Sequence, residues 1–196
     1  MNIRPSAPSP ARTSASHPLQ IAELGFDGLR GRLGVTFCPG KQGDSVFGAP
    51  WHRDLEADLD VIQGWGARTV LTLVEAQELD MLGVPDLGAR VEARGMTWVH
   101  LPITDLQPPG DAFSAAWPDL FARLKLQLTE GGRVLVHCRG GLGRTGTVAA
   151  CILVGMKVPP GQAIQAVRKV RPRAIETSAQ ETFVMRFRPS AAVNSR

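Results

Sequence analysis

The stretch that most restricts the fold is GRVLVHCRGGLGRTG, residues 132–146. Val134, Leu135 and Val136 lead to His137 and Cys138; Arg139, Gly140, Gly141, Leu142 and Gly143 follow, and then Arg144, Thr145 and a long apolar run. An apolar run that breaks in glycines and resumes with helical character reads as strand, tight loop, helix. Glycines at 140, 141 and 143 let the backbone turn its N–H groups onto one point, an anion nest at a helix start. A thiol beside cations and a helix N-terminus ionises more readily than a free one. The planar fork of Arg144 suits two oxygens of a phosphate, and Thr145 can donate its hydroxyl to a leaving thiolate. No GK[ST] is present, which argues against a nucleotide triphosphate loop. His137 adjoins Cys138 in the strand and leaves on the opposite face, so the two form no protease-type dyad, and His137 is expected to orient the loop from behind.

The remaining chain alternates strands and helices. Strands are expected at 33–38, 68–74, 96–101 and 133–137. Helices are expected at 54–65, 75–82, 84–93, 111–128 and 144–155, from Pro159 toward Pro172, and at 178–187. In 111–128 the residues Phe113, Trp117, Leu120, Phe121, Leu124 and Leu128 form one apolar face, while Pro118 predicts a kink or a late start. This order argues for a single α/β domain, residues 21–188, with a central, mostly parallel sheet flanked by helices. Ligands of such sheets sit beyond the carboxyl ends of strands, where Cys138 falls. Residues 1–20, rich in Ser, Pro and Ala, read as a flexible tail with His17 exposed on it, and 189–196 as a second tail.

The net charge of +4 favours anionic substrates. No basic block with interleaved aromatics appears, so nucleic acid is not an expected partner. Three cysteines, Cys38, Cys138 and Cys151, form no disulfide framework, which fits a reducing, cytoplasmic setting. No apolar run is long enough to span a membrane. His52 and His100 stand in no metal-ligand spacing, so neither a metal nor another cofactor is expected.

A phosphate ester needs its leaving oxygen protonated. Asp105, in the loop PITDLQPPGD after strand 96–101, is the candidate acid. Asp111 is the alternative, although it reads more readily as a helix cap. Cys38 has two readings, a redox partner of Cys138 or a buried inert thiol. The run Arg168, Lys169, Arg171, Arg173 also has two: an anion-attracting rim, or a solvated helix end.

His137-Cys138, five residues, Arg144-Thr145 resembles the signature loop of the cysteine-based protein phosphatases, and HCRGGLGRTG resembles the dual-specificity phosphatases in particular. FCPGK at 37–41, PITD at 102–105 and AIETSAQ at 174–180 extend the likeness toward the kinase-associated phosphatase subfamily. The resemblance implies Cys138 as nucleophile, Arg144 as phosphate clamp, Asp105 as general acid and Thr145 as helper in phosphoenzyme breakdown. It also implies Gln180 near the site, placing water, and Lys41, like His137 and Cys38, either just behind the loop or at the pocket rim. The implied substrate is a phosphoprotein carrying phosphotyrosine, phosphoserine or phosphothreonine. Arg139 and Leu142 stand where phosphoinositide phosphatases carry two lysines. Inositol, lipid or nucleotide phosphates, small anionic molecules that the same loop can take, are the alternative.

Overall fold

The computed structural model describes residues 10–25, 29–45 and 48–189. A five-stranded sheet runs in the order β1 (Ala22–Leu24), β2 (Arg32–Phe37), β7 (Arg133–Cys138), β5 (Ala67–Thr72), β6 (Thr97–His100). β2, β7, β5 and β6 are parallel; β1 is antiparallel to β2. The sheet is therefore mixed but largely parallel. Its edge strand β1, three residues long, is too short to show a period in the sequence. β3 (Gln42–Gly43) and β4 (Trp51–His52) form a separate two-stranded ribbon.

β7 lies in the middle of the sheet, and Val134, Leu135 and Val136 are fully buried. A strand covered on both faces needs such a continuous apolar run. α5 (Gly143–Gly155) leaves its end and is buried from Gly143 to Val154, as expected of a helix that is apolar all round. α6 (Pro160–Val170) and α7 (Ser178–Arg186) pack on α5. α1 (Leu55–Gly64) packs on β5, and α3 (Leu87–Ala93) on β6. Between β5 and α3 runs the short α2 (Ala76–Met81).

α4 (Asp111–Thr129) continues through Pro118 as one helix. Its buried face, Phe113 and Trp117 before the proline and Leu120, Leu124 and Leu128 after it, holds both halves to the core. That burial outweighs one lost backbone bond. Gly110 is the N-cap and Asp111 only the first helical residue, which corrects the reading of Asp111 as the cap.

The amino-terminal boundary also needs correction. Residues 1–9 lie outside the described part, as does the carboxyl-terminal segment from 190 onward. Residues 10–20, however, are docked. Arg12 donates to the carbonyl of Ala49 and lies 3.9 Å over the Trp51 ring. Leu19 is buried. Ser14 donates to Asp58, whose carboxylate also takes two bonds from Arg53 and the N–H of Gly40. The Arg53–Asp58 pair is almost wholly withdrawn from water and locks the β2–α1 connection. His17 is exposed, with its carbonyl accepting from Arg53.

Candidate active site

The site forms where β7 ends. Cys138 is buried, and the N–H of Gly141 points at its sulfur at 3.3 Å. Gly141 has φ +71°, and a Cβ there would meet the carbonyl oxygen of Thr36 at 2.4 Å. Only glycine fits both the turn and the close approach of β2. The loop then enters α5 at Gly143, whose N–H is taken by the Glu176 carboxylate at 2.7 Å. Arg139 and Gly140 are exposed and Leu142 half-buried at the outer edge.

Arg144 is a fully buried charge, 1% exposed. Its Nη1 and Nη2 meet the two oxygens of Glu78 at 2.5 and 2.9 Å. Nη1 also donates to the carbonyl of Ile103, and Nη2 lies 3.0 Å from Asp105 Oδ1. Burial pushes the Glu78 carboxyl up, but the bonds from Arg144 and the Glu75 N–H outweigh it and hold the group below its usual range. Glu78 is the third residue of α2 in a capping box with Glu75. Sequence reasoning missed it, because its partner lies 66 positions away; four-residue spacing signals only helix-face pairs. Among the described residues, four buried side-chain polar atoms have no hydrogen-bond partner: Trp117 Nε1 in α4, His137 Nδ1 in β7, and Arg144 Nε and Thr145 Oγ1 at the start of α5. Unpaired buried donors are rare and need an explanation; an oxyanion in the loop supplies it for Arg144.

Asp105 reaches Arg144 from an exposed loop position, whereas Asp111 is the exposed first residue of α4. His137 is fully buried, and burial pushes its imidazole down to about 3, so the ring is neutral. Its Nε2 pairs with Thr72 Oγ1 at 2.7 Å, and Thr72 in turn accepts from the Trp98 indole. These bonds tie His137 to β5 and β6, behind the end of β7.

Gln180 is fully buried. Its Oε1 accepts from the N–H groups of Glu176 and Thr177, and its Nε2 donates to the carbonyl of Gln107. A Cβ on Gly143 would stand 3.0 Å from both amide atoms. Gln180 therefore touches the loop and ties the 102–110 loop to the 176–177 turn, with one N–H of its Nε2 left over from these bonds.

Lys41 takes the one of its two expected places that lies behind the loop. It is buried behind the loop, 4.4 Å over both the Phe37 and Trp51 rings, and donates to the carbonyl of Arg139 at 3.4 Å. The two aromatic faces hold the cation inside. Burial pushes the ammonium down to about 8. Cys38 follows Phe37, the register partner of Cys138, and its N–H reaches the Arg139 carbonyl. Both cysteines are free thiols, and burial pushes the Cys38 thiol well above its ordinary range. Cys151 is core, mid-helix in α5.

The basic run divides: Lys169 and Arg173 are exposed, as on a solvated helix end, whereas Arg168 and Arg171 turn onto the backbone. Arg171 donates from Nε to the Gly141 carbonyl and from Nη2 to the Gly140 carbonyl, both at 3.1 Å. Arg168 holds the carbonyls of Ala174 and Ile175 together with Glu181. Among the described residues no group of three or more His, Cys, Asp or Glu is arranged to hold a metal ion, and no helix is long and apolar enough to cross a membrane.

A family model described as PTP-SAK, Swiss Army Knife protein, DSP-PTPase phosphatase domain, matches residues 52–184. The rat protein named cyclin-dependent kinase inhibitor 3 is 31% identical over 180 residues, covering 89% of this chain and 81% of its own length. The bovine protein tyrosine phosphatase type IVA 3 is 31% identical over 140 residues, 71% of this chain and 75% of its own. A crystal structure of kinase associated phosphatase, with its catalytic-site cysteine replaced by serine, superposes with a TM-score of 0.74 at 27% identity, covering 85% of this chain and 92% of that one. With a thiol, an anion nest and an arginine gathered at the end of its central strand, the chain belongs to the cysteine-dependent dual-specificity protein phosphatases, in the subfamily of the kinase-associated phosphatase.

Proposed function

We propose that Cys138, Arg144 and Asp105 hydrolyse phosphate monoesters on phosphotyrosine, phosphoserine or phosphothreonine side chains of proteins. The observation that carries this reading is the buried, unpartnered Nε of Arg144 beside a thiol that already accepts a loop amide. Glu78 fixes the guanidinium from one edge, which leaves the Nε edge for two phosphate oxygens.

The sulfur of Cys138 attacks phosphorus, forming the S–P bond as the P–O bond to the substrate side chain breaks. Asp105 gives its proton to the leaving oxygen. Water then attacks the phosphocysteine, giving its proton to the Asp105 carboxylate, as the S–P bond breaks and the thiolate departs. The unpaired hydroxyl of Thr145 supplies a hydrogen bond to that leaving thiolate. Gln180 acts indirectly by holding the loop that carries Asp105.

The test is phosphate release, ranked by kcat/KM, from phosphotyrosine and phosphothreonine peptides and from inositol and lipid phosphates, with chelator present. The reading requires peptides to lead and Cys138→Ser to be inactive. Faster turnover of the inositol or lipid esters would move the substrate to small anionic phosphates, and an active Cys138→Ser would end the mechanism.

A further inference from the structure

Three successive carbonyls of the loop are held from outside by cations. Lys41, from the β2 side, takes Arg139 O at 3.4 Å; Arg171, at the end of α6, takes Gly140 O and Gly141 O, each at 3.1 Å. A trans peptide is planar, so the carbonyl of one residue and the N–H of the next point in opposite directions. Drawing these three oxygens outward turns the N–H groups of Gly140, Gly141 and Leu142 toward the interior of the loop. The middle one is seen to do so, since the Gly141 N–H points at Cys138 Sγ.

Both cations are built into place. Lys41 is buried over two aromatic rings. Arg171 is half-buried at the C-cap of α6, where Pro172 ends the helix and the side chain returns to the loop. Both side chains bond the backbone of the loop and not the Cys138 sulfur.

We infer that Lys41 and Arg171 are positioning residues for phosphate capture, holding the loop's amide hydrogens inward before substrate arrives. The ammonium of Lys41 faces the Cys38 and Cys138 thiols and the guanidinium groups of Arg53 and Arg12. Its lowered proton affinity means that this support weakens as pH rises past about 8.

The inference rests on the reading of the loop as a phosphate site, and the experiment separates the two. Tungstate binding to the full chain is measured by calorimetry at pH 7, with KM and kcat on an aryl phosphate and with thermal melting. Lys41→Met and Arg171→Met should each weaken tungstate about tenfold, the scale of one lost orientation. Lys41→Arg should restore most of the affinity. Arg171→Lys should restore only part, because one ammonium lacks the fork that serves two carbonyls. In wild type the affinity should decline above about pH 8, and Lys41→Arg should abolish that decline. Methionine variants that bind tungstate like wild type would overturn the positioning role. So would charge-conserving variants that rescue nothing while melting falls, since the role would then be structural. If wild type neither binds tungstate nor releases phosphate, it is the loop reading that fails.

Discussion

Glu78 and Arg144 meet end to end, carboxylate against guanidinium, with side-chain exposures of 9% and 1%. The pair binds α2 to the start of α5 and fixes the arginine's orientation at no cost to its outward Nε edge. Removing the carboxylate leaves a buried charge. Glu78→Ala should therefore lower unfolding stability by about 3–5 kcal/mol and kcat/KM by about 10²-fold through misplacement. Glu78→Gln keeps the shape and should lose less of both. Urea unfolding and steady-state kinetics check this; an unchanged kcat/KM in Glu78→Ala would remove Glu78 from the site.

Asp105 and an incoming phosphate compete for Arg144 Nη2. Asp105→Asn should lower kcat on alkyl phosphates by about 10²–10⁴-fold, the range of general-acid loss. It should also bind tungstate at least as tightly as wild type. Weaker tungstate binding in this variant would show that Asp105 supports the anion site instead of competing for it. Asp111→Asn is expected to change neither quantity.

Acid should destabilise the fold through His137. The folded ring titrates at about 3 and the unfolded one at 6.5. Between those values the unfolded chain binds a proton that the folded chain does not, so stability falls as pH drops from 6.5 toward 3. The slope is about 1.4 kcal/mol per pH unit. Unfolding measured at pH 7, 5.5 and 4.5 should lose this proton's worth of slope in His137→Gln. Equal slopes in the two proteins would contradict a buried neutral histidine.

Gln180→Ala should loosen the acid loop at Gln107 without touching the nucleophile. Turnover of substrates with poor leaving groups should then fall about tenfold, and that of activated aryl phosphates little, because only the former depend on the acid. An equal fall for both would place Gln180 at the phosphorus, not behind the acid.

The central loop was readable because its chemistry is local. Cys138, three glycines and Arg144 lie within seven residues, and the strand before them and the helix after them follow from apolar pattern. Asp105 was readable because it sits on a proline-bounded loop after a parallel strand. Glu78 was not, because its partner lies 66 positions away and it looks in sequence like an ordinary helix residue. Gln180 came near the site only through the resemblance, and Arg171 only as one of a basic run, because the groups they bond lie 73 and 30 positions away and only packing around α5 brings them in. Lys41 was placed near the site with its side undecided, since nothing in FCPGK announces that Trp51 will fold over it. The docked segment 10–20 escaped because Leu19 is its single buried apolar side chain, while its other ties are polar bonds without periodicity.

That segment has a practical consequence at the bench. Arg12 rests on Trp51, Trp51 shelters Lys41, and Lys41 reaches the Arg139 carbonyl. Ser14 braces Asp58, which secures Gly40 next to Lys41. A protease nick or a shortened clone that starts at residue 21 would leave every sheet strand in place and still take a wedge out from behind the catalytic loop. Such a preparation would lose the buried Leu19 and the brace on Asp58 together with the support behind the loop, so it should melt lower as well as turn over more slowly, and its weak activity would be mistaken for the enzyme's own.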